Sequence, residues 1–299
     1  MSTEAPDVSV CIATCRRPQG LARLLESLAR QDLPRGVAVE VLVVDNDPEA
    51  SATEVVRPWQ EGPHALQLLR EPRPNVAHVR NRAVAAARGA WLAFIDDDEV
   101  ADAGWLAAYW GRSRREVHDG WFGPVLPRLE RNVTPWLDLE RFYARPRHAS
   151  GTPIAAADAR TGNAFLRRDL FATRAFDPAY GDPSAHAEDH ELFARLLADG
   201  ASFAWCDEAI VTETVLPAHH RLGWLARRAF QGGIVATRLG APQPLGARFA
   251  LGAARALLGV AFAAAVLPAA VLRGRCAGAR MWLRACVQAG HLRALCTHT

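Results

Sequence analysis

The chain contains 299 residues, 50% of them hydrophobic, so it can bury a large core and global disorder is excluded. Its 35 Lys and Arg residues are all arginine, which excludes every mechanism that requires a catalytic or phosphate-binding lysine. The net charge of +3 conceals an asymmetry: residues 1–213 hold 24 arginines and 32 acidic residues, whereas residues 214–299 hold 11 arginines and no acidic residue. An acidic body with a basic, apolar tail indicates a metal-using catalytic domain held against an anionic membrane surface.

The N-terminal part of the chain alternates short apolar runs with helical patterns. Helices are predicted over residues 18–31, which begin at Pro18, and over residues 75–89, which end at Gly89. Runs of β-branched and other apolar residues predict buried strands over residues 8–14, 39–44, 66–70 and 91–95. This alternation predicts an α/β fold with a mainly parallel sheet.

Polar residues stand at the carboxyl ends of three of these strands. Thr14 ends the first strand, Asp45 follows the second, and the aspartates at 96–98 follow the fourth. Ligands of parallel sheets bind just outside the carboxyl ends of the strands. We therefore expect these three segments to converge on one rim of the sheet.

The run FIDDDE at residues 94–99 places four acidic side chains directly behind a strand. Adjacent like charges cost folding free energy unless a positive group neutralises them. Clustered hard oxygen ligands bind Mg²⁺ or Mn²⁺, which in turn bridge carboxylates to a substrate diphosphate. A metal site therefore explains the cluster, and the simpler alternative is a solvated acidic turn.

A second acidic pair, Glu188 and Asp189, opens a predicted helix over residues 188–200 that ends at Gly200. Such a pair also stabilises the dipole of its own helix, so a purely structural role is the alternative. Between roughly 120 and 187 the pattern is irregular, as expected for loops that face a bound substrate.

The tail contains a long apolar segment. Residues 256–272 are 17 uncharged residues between Arg255 and Arg273, which is short for a membrane span, and they include Pro268. Three interpretations stay open: a re-entrant or interfacial membrane helix, a true span, and a soluble helical cap. We divide the chain into a catalytic domain over 1–240 and a helical, membrane-associating tail over 241–299.

Four blocks occur in order along the chain: VSVCIATCRRP, VLVVDND, NVAHVRNRAVAAARGAWLAFIDDDE and EDHELFARLLADG. In this combination the chain resembles the family 2 glycosyltransferases of the GT-A fold over roughly residues 8–240. The segments CRRP, DNDPEA, FIDDDE and TGNAFLRR are in addition similar to bacterial exopolysaccharide glycosyltransferases of the succinoglycan type.

The resemblance implies roles for individual residues. Asp98 corresponds to the metal ligand of the DxD region, with Asp96 as a further metal contact. Asp189 corresponds to the catalytic base, and Glu188 beside it to an acceptor-binding or supporting group. The positions implied to bind the nucleotide-sugar donor are Thr14, Arg16, Asp45, Asn46, Arg80, Asp96 and Asp97.

The implied reaction transfers a hexose from a nucleotide-diphosphate sugar, and the expected donor is a UDP-sugar. The implied cofactor is Mg²⁺ or Mn²⁺. A carboxylate removes the acceptor proton while the metal stabilises the leaving diphosphate, so a single displacement inverts the anomeric configuration. The implied acceptor is a polyprenyl-diphosphate-linked saccharide at the cytoplasmic face of the bacterial inner membrane. Departures from the family pattern at Ala13, Cys15 and the Asp47-Pro48 pair border the base pocket and leave the nucleotide open.

Rival functions lack their own signals. A Rossmann dehydrogenase requires a glycine-rich turn after the first strand, where this chain has ATCRRPQG. Nucleic-acid binding is not expected, because the tail arginines alternate with alanine and leucine, which suits lipid better. Two alternatives remain: a sugar-phosphate nucleotidylyltransferase, and a non-catalytic membrane-bound scaffold that retains the fold.

Overall fold

The computed structural model describes residues 5–130, 134–181, 187–239 and 247–297. Its strands, in chain order, are β1 (Val8–Thr14), β2 (Val39–Asp45), β3 (Ala65–Arg70), β4 (Trp91–Ile95), β5 (Glu99–Ala101), β6 (Gly120–Phe122), β7 (Val125–Leu129), β8 (Asn163–Arg167), β9 (Phe203–Trp205) and β10 (Val211–Val215). Its helices are α1 (Pro18–Ala29), α2 (Thr53–Val56), α3 (Val76–Ala86), α4 (Trp105–Ser113), α5 (Leu139–Tyr143), α6 (Glu188–Ala198), α7 (Leu222–Leu239), α8 (Ala247–Leu272) and α9 (Arg275–Thr297).

The described strands form a large sheet and a small one. Seven strands follow the order β3-β2-β1-β4-β8-β6-β9, and β3, β2, β1 and β4 run parallel. Strand β8 is antiparallel to both of its neighbours. The small sheet has the order β5-β10-β7, with Glu99 directly opposite Glu213. The predicted mixed α/β fold with a mainly parallel sheet is confirmed.

Both faces of the large sheet are covered by apolar side chains, because successive residues of a buried strand point to opposite faces. In β1, Val10 and Ile12 pack with Leu24 of α1. Cys11 lies on the other face and packs with Val79 of α3 and Phe193 of α6. The helices that carry Arg17, Arg80 and Asp189 are thereby fixed to the same sheet.

Two glycines mark close approaches, one at the rim and one at the opposite edge of the sheet. A Cβ on Gly20, in the first turn of α1, would lie 2.4 Å from the backbone oxygen of Asp97, so only glycine lets α1 pack against the acidic turn. Gly89 does not cap α3 as predicted, because α3 already ends at Ala86. A Cβ at Gly89 would instead meet the backbone nitrogen of Ser9 at 2.6 Å.

The chain divides into two compact units. The first comprises the described residues of Met1–Pro127 and Arg145–Thr214, and it holds the large sheet. The second comprises those of Arg128–Ala144 and Val215–Thr299, and it holds α5 and α7–α9. The boundary predicted between residues 240 and 241 lies outside the described residues.

Within the second unit, α7 and α9 cross with their backbones in close approach. A Cβ on Gly233 of α7 would lie 2.1 Å from the backbone oxygen of Val287, and one on Gly290 of α9 would lie 2.0 Å from that of Phe230. Such small residues let helices associate through backbone contact. Helix α8 leaves large apolar side chains exposed, including Leu257, Leu258 and Phe262.

Candidate active site

The strand register brings the predicted rim residues together. Thr14 and Asp45 are direct partners at the ends of β1 and β2, and the backbone amide of Asn46 donates to the carbonyl of Thr14 at 2.8 Å. The acidic turn at 96–99 follows β4, the other neighbour of β1. The predicted convergence of three strand ends is therefore present.

Asp97 links the acidic turn to the end of β1 and the start of α1. Thr14 Oγ1 donates to one of its carboxylate oxygens at 2.8 Å, and Arg17 Nη1 donates to the other at 2.9 Å. Only 5% of the residue is exposed. Both oxygens are thus engaged inside the protein, which makes Asp97 a fixed point of the turn.

Asp98 is the more accessible neighbour, with 25% of its side chain exposed. The same Arg17 nitrogen donates to Asp98 Oδ2 at 2.6 Å. Burial, followed by repulsion from Asp96, raises the pKa of Asp98 to about 7 even though Arg17 opposes the shift. One arginine therefore does not fully compensate the negative charge at this position.

The rest of the acidic turn is held by backbone and side-chain contacts. The backbone amide of Asp96 donates to Glu99 Oε2 at 2.9 Å, and the amide of Thr214 donates to the carbonyl of Asp98 at 2.8 Å. Burial, and then repulsion from Asp96, raise the pKa of Glu99 well above its usual range. Arg145 forms an ion pair with Glu213, the strand partner of Glu99.

The loop after β2 is organised by Asp45, whose two carboxylate oxygens accept from the amides of Asp47 and Ala52 at 2.9 and 3.0 Å. The Asn46 side chain donates to the carbonyls of Glu71 and Arg73. These two predicted donor-binding side chains shape the loop at this rim.

Arg16 lies beside this loop and adopts the left-handed conformation, with φ of 56°. Its Nε donates to Asp47 at 3.1 Å, and 65% of its side chain is exposed.

Arg80 connects the acidic turn to α6. Its Nη2 contacts Asp96 Oδ1 at 3.4 Å, and its Nη1 forms an ion pair with Glu188 Oε1. The guanidinium also lies 5.8 Å from the centroid of the Phe176 ring, and only 11% of the side chain is exposed. Arg80 therefore contacts both acidic sites predicted from the sequence, the turn that follows β4 and the pair that opens α6.

Glu188 and Asp189 occupy different environments at the start of α6. Glu188 is buried, and this burial raises its pKa to about 7, although Arg80 acts to lower it. Within the described part of the chain, Glu188 Oε2 has no hydrogen-bond partner. Asp189 is half-buried. Its Oδ2 lies 3.4 Å from the amide of Thr161 and 3.5 Å from that residue's hydroxyl.

The segment Thr161–Gly162 brings Asp189 beside the acidic turn. A Cβ on Gly162 would lie 3.1 Å from Asp96 Oδ2 and 2.9 Å from Glu99 Oε1, so this residue packs directly on both carboxyl groups. Arg80, Asp96 and Thr161 also line one small pocket. Asp189 therefore contacts Thr161, the residue directly before the one that packs on Asp96.

The acidic residues suit a metal ion only in part. Across residues 5–130, 134–181, 187–239 and 247–297, no three His, Cys, Asp or Glu side chains form a ready metal-binding group. However, Mg²⁺ is commonly held by one or two carboxylates together with substrate phosphates and water. The turn holds four carboxyl groups, and the arginines that contact them among the described residues are Arg17 and Arg80, so negative charge is in excess. Asp96 and Asp98 therefore fit a site that a diphosphate would complete.

Three residues at the rim were not singled out from the sequence. Arg17 contacts two carboxylates of the acidic turn, although only its neighbour Arg16 was selected. Thr161 and Gly162 stand in the motif TGNAFLRR, which contributed to the family resemblance but supplied no predicted site residue. Their place within this motif was the signal that could have identified them.

Known proteins resemble this chain in both sequence and fold. Residues 9–174 match the sequence model of Glycosyl transferase family 2. The succinoglycan biosynthesis protein ExoM of Rhizobium meliloti is 33% identical over 97% of this chain and 93% of its own length.

Two solved structures share the fold at lower identity. The mannosyltransferase PcManGT from Pyrobaculum calidifontis, in complex with GDP-Man and Mn²⁺, superposes with a TM-score of 0.66 at 20% identity and covers 99% of this chain and 89% of its own. S. aureus TarS 1-349 in complex with UDP gives 0.55 at 17% identity, over 95% and 90% of the two chains. At these identities the likeness concerns the GT-A fold alone. The family match and the full-length relative together show that this chain belongs to glycosyltransferase family 2.

Proposed function

We propose that this chain transfers a hexose from a UDP-sugar to a hydroxyl group of a lipid-linked saccharide, with inversion and with Mg²⁺ or Mn²⁺, during bacterial exopolysaccharide synthesis. The observation that carries the proposal is the position of Arg80 between Asp96 on the acidic turn and Glu188 beside Asp189. A donor site and a proton-accepting carboxylate are thus neighbours but remain distinct. The succinoglycan relative supports the exopolysaccharide assignment.

On the donor side, Asp96 and Asp98 would hold the metal. When bound, such an ion stabilises the negative charge that develops on the leaving diphosphate. Thr14 and Arg17 orient the turn through Asp97, and the loop shaped by Asp45 and Asn46 borders the place where the nucleoside would lie. The complexes of PcManGT with GDP-Man and of TarS with UDP support a nucleotide-sugar donor.

On the acceptor side, Asp189 would remove the proton of the attacking hydroxyl. Its Oδ1 accepts from the amide of His190 at 2.7 Å, and its Oδ2 faces Thr161, so the carboxylate has a defined orientation at the N-terminus of α6. Glu188 is buried against Arg80 and fixes the helix end. Attack from this side and departure on the metal side together describe an inverting displacement.

The test separates donor binding from transfer. We expect Asp98→Asn to abolish Mn²⁺-dependent UDP binding in calorimetry. We expect Asp189→Asn to retain UDP binding but to lose about 100- to 10,000-fold in transfer rate, the usual contribution of a general base. Asp199→Asn, at the other end of α6 and paired with Arg174, is the matched control and should change neither. Loss of UDP binding in Asp189→Asn would contradict the assignment of the base.

Assays of the unmodified chain distinguish the proposed transfer from the remaining alternatives. A non-catalytic scaffold would show no transfer with any member of a panel of nucleotide sugars. A nucleotidylyltransferase would instead consume a sugar phosphate and a nucleoside triphosphate, and a separate assay that supplies those two substrates would detect it by pyrophosphate release. The sugar that yields product in the same panel would identify the donor.

We also propose that α8 and α9 associate with an anionic membrane surface at the cytoplasmic face of the inner membrane. One described helical segment, Gly252–Leu272, is long and apolar enough to cross a membrane, with a mean hydropathy of 2.0, and only 17% of its most apolar stretch is buried. A core helix of a soluble protein would be mostly buried. Exposed leucines and the surplus of arginines after Glu213 favour lipid contact over a soluble cap.

A further inference from the structure

Arg17 is held differently from Arg80. Its Nη1 donates to Asp97 at 2.9 Å and to Asp98 at 2.6 Å, and 46% of its side chain remains exposed. Arg80, by contrast, is 11% exposed and is fixed by Glu188, Asp96 and the ring of Phe176. Arg17 can therefore leave its partners by side-chain rotation alone, whereas Arg80 cannot.

Movement of Arg17 would affect its two carboxylate partners differently. Asp97 is 5% exposed and keeps a hydrogen bond from Thr14, so it stays bound to the protein if Arg17 moves. Asp98 presents 25% of its side chain to solvent, and its carboxylate pairs with Arg17. Movement of Arg17 would thus free Asp98, the residue expected to bind the metal.

We propose that Arg17 serves as an internal counter-cation that occupies Asp98 in the absence of donor and moves to the donor diphosphate when a divalent cation binds Asp98. This inference rests on the proposed function. A guanidinium and a divalent cation at the same carboxylate repel each other, so a metal ion on Asp98 weakens the ion pair that Arg17 forms with its Oδ2. A diphosphate offers the guanidinium a bidentate anionic partner of the kind arginine prefers.

The exchange makes metal binding and nucleotide binding depend on each other. Without nucleotide, a metal ion must displace Arg17 from Asp98 with no new partner for the guanidinium. With nucleotide present, Arg17 moves onto phosphate oxygens and Asp98 becomes available. By linkage, the factor by which UDP tightens Mn²⁺ binding equals the factor by which Mn²⁺ tightens UDP binding. Arg17 should supply a large part of that factor.

The experiment measures Mn²⁺ binding by electron paramagnetic resonance, with and without saturating UDP, in the full chain. We expect Arg17→Gln to bind Mn²⁺ about 10-fold more tightly than the unmodified protein when UDP is absent, because a charge-assisted hydrogen bond no longer competes. The factor by which UDP tightens Mn²⁺ binding should be about 10-fold smaller in this variant than in the unmodified protein. Arg17→Lys retains a competing charge, so its Mn²⁺ affinity should stay within about threefold of the unmodified value.

Arg30→Gln is the matched control, because it removes the same charge at the other end of α1, where Arg30 pairs with the exposed Glu26. At that distance screening leaves less than about a twofold effect on Mn²⁺ affinity. If Arg17→Gln binds Mn²⁺ no more tightly than the unmodified chain, the exchange is wrong while metal-dependent transfer stands. If the unmodified chain binds no Mn²⁺ even with UDP, the metal-dependent function itself fails.

Discussion

The acidic rim of the sheet and the basic helices α7–α9 are stabilised by different interactions. At the rim, Arg17, Arg80 and Arg145 form ion pairs with acidic residues of the turn and of its neighbour β10. None of these arginines belongs to the turn or to β10. Helices α7–α9 contain no acidic residue that could pair with their arginines. Helices α7 and α9 associate instead through close backbone contact at Gly233 and Gly290.

This difference indicates what each region still requires. The carboxyl groups of the turn and of β10 outnumber the three arginines that contact them, and the more accessible one, Asp98, suits a cation. The helices carry arginines and no acidic residue, and α8 exposes large apolar side chains, so a partner that is both anionic and apolar would suit them. The rim therefore requires a small ligand and the helices an extended surface.

The largest expected effect comes from removing the Arg80 bridge. Arg80→Leu leaves Glu188 buried without its counter-charge, and loss of one partner of a buried ion pair costs about 3–5 kcal/mol of the free energy of unfolding. Urea unfolding at pH 7 measures the change. Transfer activity should fall as well, because Asp96 and α6 lose their common contact.

The double variant Arg80→Leu/Glu188→Leu is the control for this prediction. Replacing both ions by apolar groups removes the uncompensated charge, so most of the stability should return. Activity should not return, since the positions of Asp96 and Asp189 still lack their link. A double variant as unstable as Arg80→Leu would show that Arg80 acts through packing, for example against Phe176.

The next effect concerns the exposed face of α8. Replacing Leu257, Leu258 and Phe262 together by serine removes three side chains that are 58%, 70% and 62% exposed. If these residues insert into lipid, the triple variant should bind phosphatidylglycerol vesicles at least about 100-fold more weakly, because each buried apolar side chain contributes about 1.5–3 kcal/mol. Vesicle flotation measures the partition coefficient.

Val117→Ser is the control, because Val117 is 96% exposed but belongs to the first unit. It should leave vesicle binding unchanged. Equal binding by the triple variant and the unmodified chain would favour the soluble-cap interpretation of the tail. Binding that weakens only as salt is raised would indicate that the arginines alone hold the surface.

The sequence was most informative where long apolar runs alternate with helices. The predicted strands at 8–14 and 91–95 match β1 and β4, and the polar residues at their carboxyl ends lie on one rim. Strands of three residues, such as β5, β6 and β9, were not predicted. A three-residue strand is too short to show a period of two, so its pairing depends on neighbours distant in the chain.

The candidate site divides in the same way between predictable and unpredictable parts. Residue types and motif positions pointed to the acidic turn and to α6, which Arg80 connects. The choice of partner could not be read from the sequence: Arg17 and Asp97 are 80 residues apart, and Arg80 and Glu188 are 108 apart. Such pairings follow from how the helices pack on the sheet.

The crossing of α7 and α9 gives a smaller effect with an internal control. An alanine at Gly233 would place Cβ 2.1 Å from a backbone oxygen, so the helices must move apart, at a cost of about 1–3 kcal/mol. The adjacent Gly232 has no atom within 4 Å of its Cβ position. Gly232→Ala should therefore stabilise by up to about 1 kcal/mol through helix propensity. Thermal unfolding in detergent, followed by circular dichroism, compares the two variants, and equal shifts would contradict the crossing.

The smallest effect is a pH dependence that arises at Glu188. Burial raises the pKa of this carboxyl group from 4.5 to about 7 in the folded protein. Between these values the folded chain binds more protons than the unfolded chain, so this group's contribution to stability is complete below pH 4.5 and is lost as the pH rises through 7.

The variant Glu188→Gln has no titratable group at this position. The unfolding free energy of the variant relative to the unmodified protein should therefore increase by about 1–2 kcal/mol from roughly pH 6 to roughly pH 8. Urea unfolding across that range measures the difference. A difference that stays constant, or falls as the pH rises, would mean that Arg80 keeps Glu188 ionised throughout and that the rim is already fully paired on the side of α6.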